Sequence, residues 1–575
     1  MKKVKLLPYG ISDFKQLRKE GKYYVDKTMF LPTMEDQDNF LFLIRPRRFG
    51  KSVFLNMLRC YYDIEEKDNF EQLFEGLWIA SHPTPERGKF QVLYFDFSQV
   101  GSDIDNLEKN FDQYCSICLD RFAEKYAKYY PEGFVSAVKS YDNSRAKISY
   151  INLQAKAKEI PLYLIVDEYD NFTNIVLNEK GEAVYHALTH AYGFYRDTFK
   201  LYKPTFSRIL MMGVSPVTMD DVTSGFNIAT NISMNPLYNQ MLGFSETDVR
   251  EMIRYYQSVG MLKADEEALI SEMKPWYDNY CFAEASFKTD PKMFNCDMVC
   301  YFLKNIIQTG HSPKLMIDPN TRTDYSKMRK LIQLDKLDGN RRGVLHSIAT
   351  NGYIYGSVVE SFPAEELTNK DMFVSLLFYY GMLTIGGIRG AQQKLIIPNN
   401  NVRKQYYGYL LEAYSRIASI DTLALSDAYT AAALDGDWKP MVKEITEAYK
   451  RTTSVRQLIE GERNLQGFMN AYLSLNPYYL TAPEMELNHG YCDFFLMPDL
   501  THYNMVEHSY ILELKYLKSD ATDWDAQEQW QQAVEQIRQY ATAPMVQKMI
   551  CHTTLHPIII QIRGYETIHV EEIRE

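Results

Sequence analysis

The chain has 575 residues, too many for one compact core, so two or three domains are expected. With 46% hydrophobic and 24% charged residues and few Gly or Pro, its composition is that of a folded protein without low-complexity tracts. A formal net charge of −11 argues against a surface uniformly coated for nucleic acid, though a local basic groove stays open.

The amino terminus, Met1 to Gly10, starts basic but lacks the apolar stretch of a signal peptide. The longest apolar stretch, near Phe373–Gly387, falls short of the roughly 20 residues that span a bilayer. No membrane association is expected. Eight cysteines in so long a chain form no disulfide framework, and Cys115 and Cys118 read as reduced thiols on a helix. The expected compartment is the cytoplasm.

Four short apolar runs read as buried strands: Phe40–Ile44, Val92–Phe97, Leu162–Val166 and Ile209–Val214. Helix-like stretches such as Lys51–Tyr62 and Leu107–Tyr130 lie between them, which implies a parallel sheet covered on both faces. From Gly243 the pattern changes. Ser245 to Asp248 opens a helix with a capping box, and mostly helical text follows to about residue 380. A strand pair, Met382–Ile385 and Lys394–Ile397, brackets Gly386, Gly387 and Gly390. Helices fill 402–475. Strands return at Asp493–Met497, Tyr510–Leu514 and Ile558–Ile562, with a polar helix Ala526–Tyr540 among them.

The segment Ile44-Arg45-Pro46-Arg47-Arg48-Phe49-Gly50-Lys51-Ser52 follows the first strand and opens a helix, the setting of a P-loop for ATP. Backbone N–H groups from Arg48 through Phe49 and Gly50 would wrap phosphates. Lys51 would reach the β- and γ-phosphates, and Ser52 would ligate Mg²⁺. The motif's first Gly falls at Arg45. Leu162 to Val166 ends in Asp167 and Glu168, the first suited to hold Mg²⁺ through water and the second, as the catalytic acid, to orient the attacking water. Ser215, after the fourth strand, either senses the γ-phosphate or forms a turn. Arg45, Arg47 and Arg48 are open to three uses: phosphate contact, a neighbouring subunit's nucleotide, or local pairing with acids.

Near the other end, Asp493 enters one strand while Glu513 and Lys515 share a face of the next. Two carboxylates that can hold Mg²⁺ and a lysine that steadies charge are what metal-assisted phosphodiester hydrolysis needs. The alternative is an edge strand with a cross-strand ion pair. Gln536 on the polar helix is placed to point back at this cluster. The basic stretch Arg322–Arg342 reads as a solvated helix surface before a phosphate-binding face.

These motifs carry a resemblance. Tyr24-Val25-Asp26-Lys27-Thr28 and the Arg45–Ser52 loop resemble the bacterial AAA-ATPase-like family, whose members commonly carry a C-terminal PD-(D/E)XK nuclease-like domain. Gly213 to Pro216, Trp276 to Tyr280, Ile397-Pro398-Asn399, Gly461 to Asn464, Glu486 to Asp493 and Leu512 to Tyr516 match in order. In that family Arg45 is usual. The resemblance also implies that Glu462 and Glu486 stand near the Asp493 cluster. Tyr280-Cys281-Phe282 departs from relatives that carry an Arg nearby.

The expected fold class is therefore α/β multidomain. It comprises a P-loop AAA-type parallel-sheet core (1–242), a helical, winged-helix-like middle (243–400) and a C-terminal restriction-endonuclease-like α/β domain (401–575). The function expected is an ATP-binding ATPase coupled to a Mg²⁺-dependent nuclease acting on nucleic acid, DNA favoured, with self-association open. The alternative is a nucleotide-switched binding or signalling module with a non-cleaving nuclease fold. An ATPase acting on proteins fits the acidic charge but has no motif behind it.

Overall fold

The computed structural model describes residues 4–101, 103, 106–171, 194–217, 229–321, 340–363, 366, 369–415, 422–451, 462–487 and 490–574. Residues 322–339 of the basic stretch, Gly461, Asn488 and His489 lie outside this set. The chain forms two compact units, one of residues 1–341 and 355–400, the other of 342–354 and 401–575.

In the first unit, β1 (Phe40–Ile44), β2 (Gln91–Asp96), β3 (Leu162–Asp167), β4 (Arg208–Gly213) and β5 (Thr230–Asn231) form a parallel sheet of order β2-β3-β4-β1-β5. Every residue of β3 is buried, as expected of a parallel strand covered on both faces. Helix α1 (Lys51–Tyr62) follows β1 and packs on β2 and β3 through a face that includes Leu55, Leu58 and Tyr62. Because β4 lies between β1 and β3, the carboxyl ends of all three converge at one crevice. Helix α2 (Leu107–Lys125) stops short of the expected Tyr130: a 3₁₀ turn, Ala127–Tyr129, follows it ahead of Pro131, and the Tyr126 hydroxyl accepts from Val92 N of β2 at 2.9 Å. Cys115 and Cys118 lie on it as free thiols.

Beyond the sheet, α3 (Glu246–Ser258) opens with the Ser245/Asp248 capping box; α4 (Glu266–Tyr277) and α5 (Cys296–Thr309) are capped by Asp265 and Asn295. The strand pair is β6 (Thr384–Arg389) and β7 (Gln392–Ile396), shifted from the expected positions. Gly386 and Gly387 lie within β6, not in the turn. A Cβ at Gly386 would stand 2.5 Å from the Ile396 side chain, so the glycine permits a close cross-strand approach beside a bulge at Lys394/Leu395.

In the second unit, α6 (Thr422–Asp435), α7 (Lys439–Arg451) and α8 (Glu462–Leu473) precede a five-stranded sheet of order β8-β9-β10-β11-β12. Its strands are Tyr479–Leu487, Gly490–Pro498, His508–Leu517, Thr554–Arg563 and Glu566–Glu572. Only β10 and β11 run parallel, and the crossover between them carries α9 (Asp523–Ala541). Ala526, Ala533, Ile537 and Tyr540 form the buried stripe of α9, and Ala533, Ile537 and Tyr540 share a core with Phe495, Ile511 and Ile559 of the sheet.

Candidate functional site

The P-loop backbone turns twice through the left-handed region, at Arg48 (φ 66°) and Gly50 (φ 85°), before α1 begins. Arg48 bears the strain of a non-glycine residue there, a cost that clusters at ligand sites. Lys51 is buried, and its Nζ donates to the Arg45 and Pro46 carbonyls at 3.0 and 2.9 Å. Burial pulls its ammonium below the ordinary lysine range, opposed by Glu168 and Asp167. Ser52 Oγ donates to Asp167 Oδ2 at 2.6 Å, and Tyr94 OH reaches the same oxygen at 3.3 Å. Burial raises Asp167 to about 6, only partly offset by Ser52 and Lys51. Glu168 follows at φ 48°, a second strained position in the same crevice.

A cleft of about 410 Å³ opens over this loop. Its walls include Tyr9 and Ile11, Tyr23 and Val25, the residues from Arg47 to Phe54, Glu168, and the first turn of α5. That volume falls in the range of small-molecule sites. A buried cation on loop carbonyls, a hydroxyl paired with a carboxylate and a glycine at positive φ fit a magnesium-bound nucleoside triphosphate.

The three arginines separate. The Arg45 side chain turns inward and is 1% exposed. It donates to the Ile44, Ser233 and Tyr238 carbonyls and lies 4.3 Å over the Phe282 ring. Arg45 thus braces the loop from below, a use outside the three left open by the sequence. Arg48 Nη1 pairs with Asp297 at 2.6 Å. Arg47 lines the cleft. Phe49 packs edge-on against Tyr280 and Phe282, at 4.9 and 5.5 Å between ring centroids, so the aromatic pair at the departing motif supports the loop. Ser215 is 1% exposed; its Oγ accepts from Val217 N at 3.3 Å, while Asp170 accepts from the Val214 and Ser215 N–H groups. Two further motifs meet reciprocally: Asn279 Nδ2 donates to Pro398 O at 2.9 Å, and Asn399 Nδ2 to Asp278 O at 3.0 Å.

In the second unit the antiparallel register of β9 and β10 sets Phe494 opposite Leu512, which brings Asp493 beside Glu513. Asp493 Oδ2 accepts from Leu514 N at 2.7 Å and Oδ1 from Gln466 Nε2 at 2.6 Å. Lys515 Nζ donates to Glu513 Oε1 at 2.8 Å and to Gln536 Oε1 at 3.0 Å. Glu513 is 3% exposed, and among the described residues nothing donates to its buried Oε2. Both acids are raised, by burial first; repulsion from Glu513 adds to this at Asp493, while at Glu513 Lys515 opposes it and Glu462 adds to it. An orphaned carboxylate oxygen beside a second raised acid fits a divalent cation. Among the described residues no group of three or more His, Cys, Asp or Glu gathers as a metal cage, and Asp493 and Glu513 are the described carboxylates such an ion would meet.

Residues 8–223 match the family model described as Predicted AAA-ATPase, and residues 460–572 match that of the PD-(D/E)XK nuclease superfamily. The chain joins an AAA-ATPase-like domain to a PD-(D/E)XK nuclease-superfamily domain. It is also 29% identical over 435 residues to a protein of Azotobacter chroococcum mcd 1, described as an uncharacterized protein in the vnfD 5′ region, covering 71% of this chain and 70% of that one.

Within the AAA-ATPase-like domain the structure brings Lys51, Ser52, Asp167 and Glu168 to one crevice. Phe49 faces the aromatic support and the Arg48 guanidinium faces Asp297. Within the nuclease-superfamily domain it brings Asp493, Glu513, Lys515 and Gln536 together. The side chain of Glu486 lies outside the described residues; its backbone pairs with Tyr491. Sequence reasoning missed Gln466, one helical turn after Glu462 on α8, and that i, i+4 spacing is the signal that could have found it. It also missed Asp170 and Asp297. Asp170 directly follows the Asp167-Glu168-Tyr169 run. Asp297 had no local signal, since the fold brings it from 249 residues away.

Proposed function

We propose that the protein binds ATP with Mg²⁺ at the P-loop, hydrolyses it, and uses a Mg²⁺-dependent nuclease site to cut nucleic acid, DNA being favoured. The observation that carries the nuclease reading is the buried Glu513 Oε2, to which nothing among the described residues donates, beside Asp493 and Lys515. Holding two acids in this state costs stability, and that cost is accounted for when a cation completes the site.

In this reading Lys51 shifts from its loop carbonyls to the phosphates, and Ser52 and Asp167 hold the nucleotide's magnesium. Glu168 orients and deprotonates the attacking water. Asp170 keeps the end of β4 in place. In the nuclease domain, Asp493 and Glu513 hold the cation, and Gln466 and the Leu514 N–H fix the Asp493 carboxylate. Lys515, steadied by Gln536, stabilises charge on the phosphate. A divalent cation held there would polarise the phosphate and acidify a water.

Three functional parts, 1–242, 243–400 and 401–575, belong to the same proposal, as does a cytosolic setting that keeps the eight free thiols reduced. Among the described residues no helix is long and apolar enough to cross a membrane.

The test is cleavage of single- and double-stranded DNA and RNA with Mg²⁺ or Mn²⁺, with and without ATP, beside Glu513→Ala and Lys51→Ala. Cleavage lost in Glu513→Ala supports the nuclease, and its response in Lys51→Ala reports whether ATP gates it. No cleavage under any condition, with ATP still bound, replaces this reading with a nucleotide-switched binding module.

A further inference from the structure

Resting on the nucleotide reading, we propose that Asp297 is a specificity-determining residue of the P-loop site: it competes with the γ-phosphate for Arg48, so that a triphosphate, unlike a diphosphate, releases α5 from the loop.

Arg48 and Asp297 both line the cleft, so their ion pair stands where a phosphate chain would lie. Arg48 Nη1 meets Asp297 Oδ2 at 2.6 Å, and Nη2 donates to Asn320 O at 2.9 Å. A guanidinium beside a bound triphosphate has a second anionic partner that carries more charge than one carboxylate and accepts two parallel N–H bonds. A diphosphate ends one phosphoryl group earlier and offers Arg48 less.

The exchange is reversible because neither side is left without support. The pair is partly exposed, at 29% and 21% for the two side chains, so water screens it and its net worth is small. Asp297 also sits in the first turn of α5, a 14-residue helix capped by Asn295, where the helix dipole favours a carboxylate without Arg48. The same contact has mechanical reach. The first turn of α5 is tied to the loop a second time where Cys296 Sγ meets Arg48 O at 3.5 Å. Releasing Arg48 from Asp297 removes the charged half of that tie.

Binding of a non-hydrolysable ATP analogue and of ADP, each with Mg²⁺, to the full-length chain tests the idea. Asp297→Asn removes the competitor, and it should tighten the ATP analogue about 3- to 10-fold while moving ADP less than about 2-fold. Arg48→Gln should abolish the preference for the triphosphate. Asp297→Asn binding the analogue no better than wild type overturns the proposal, because the pair then positions Arg48 and does not oppose the ligand. Hydrogen exchange on the wild-type protein covers the case in which either variant misfolds. The ATP analogue should speed exchange in α5 relative to ADP, and equal exchange with both nucleotides also overturns the proposal. Wild type that binds neither nucleotide overturns the nucleotide reading beneath it, a result distinct from either of these.

Discussion

At the P-loop the groups that face the cleft are paired from within: buried Lys51 rests on two loop carbonyls, Ser52 on Asp167, and half-buried Arg48 on Asp297. The C-terminal sheet differs: among the described residues nothing donates to the buried Glu513 Oε2, and the Glu513 carboxylate helps push Asp493 up. In the proposed reading the first site is opened by its ligand, which exchanges one set of hydrogen bonds for another, and its stored cost is confined to Asp167, which burial holds high. The second stores the cost of an incomplete site. There, removing a charge should cost activity and return stability.

The largest effect that separates them is in catalysis. Glu513→Ala should lower metal-dependent cleavage by about 10²–10³-fold or more, the scale of losing a group that stabilises transition-state charge. Lys51→Ala should weaken ATP binding by about 10²-fold while leaving the nuclease site's own metal response intact, read by calorimetry with Mn²⁺. A Glu513→Ala protein that cleaves like wild type would end the nuclease half of the comparison.

The next effect is pH dependence at the P-loop. Asp167 stands at about 6 in the folded chain against an ordinary value of 3.8. The folded state therefore binds more protons between those values, and its stability without ligand falls as pH rises through roughly 4 to 6. The contribution is at most about 3 kcal/mol at one pKa unit per 1.36 kcal/mol. Asp167→Asn should flatten that slope in urea melts at pH 4.5 and 7. Nucleotide binding with magnesium should weaken below about pH 6, where the carboxylate is protonated.

The motifs were legible in the sequence where chemistry is local. A strand running into Gly50-Lys51-Ser52, and another into Asp167-Glu168, fix where those residues stand by position alone. So does Glu513-x-Lys515, since a strand's period of two puts both on one face. What the sequence could not give is contact across large separations. Asp297 reaches Arg48, and Gln466 reaches Asp493, only after folding. The use of Arg45 was hidden for a related reason: none of the three uses open to it in the sequence is a brace on three backbone carbonyls and an aromatic face, which only the fold brings beneath it. The shift of β6 has a smaller cause, because Gly386-Gly387 signals a turn unless the close approach of Ile396 is known.

On the carboxylate side, Glu513→Gln should raise the stability of the metal-free protein by about 1–2 kcal/mol while abolishing cleavage. The amide keeps the shape, removes a buried charge, and relieves Asp493 of its repulsive neighbour. Thermal melts in EDTA measure this. A fall in melting temperature would mean that the Glu513–Lys515 pair stabilises more than burial costs, and the contrast between the two sites would narrow.

The smallest effect belongs to Ser215. Its hydroxyl is buried and accepts from Val217 N at 3.3 Å, the geometry of a serine turn, while Asp170 secures the surrounding backbone. Ser215→Ala should therefore cost about 0.5–1 kcal/mol of stability and leave ATP turnover within about threefold of wild type. A tenfold fall in turnover at unchanged ATP affinity would instead put the hydroxyl on the γ-phosphate. In that case the end of β4, lying between the P-loop strand and the Asp167 strand, would have to move when nucleotide binds. The P-loop site would then be one whose backbone as well as its side chains rearranges, and the self-satisfied state seen here would be a closed form of the loop.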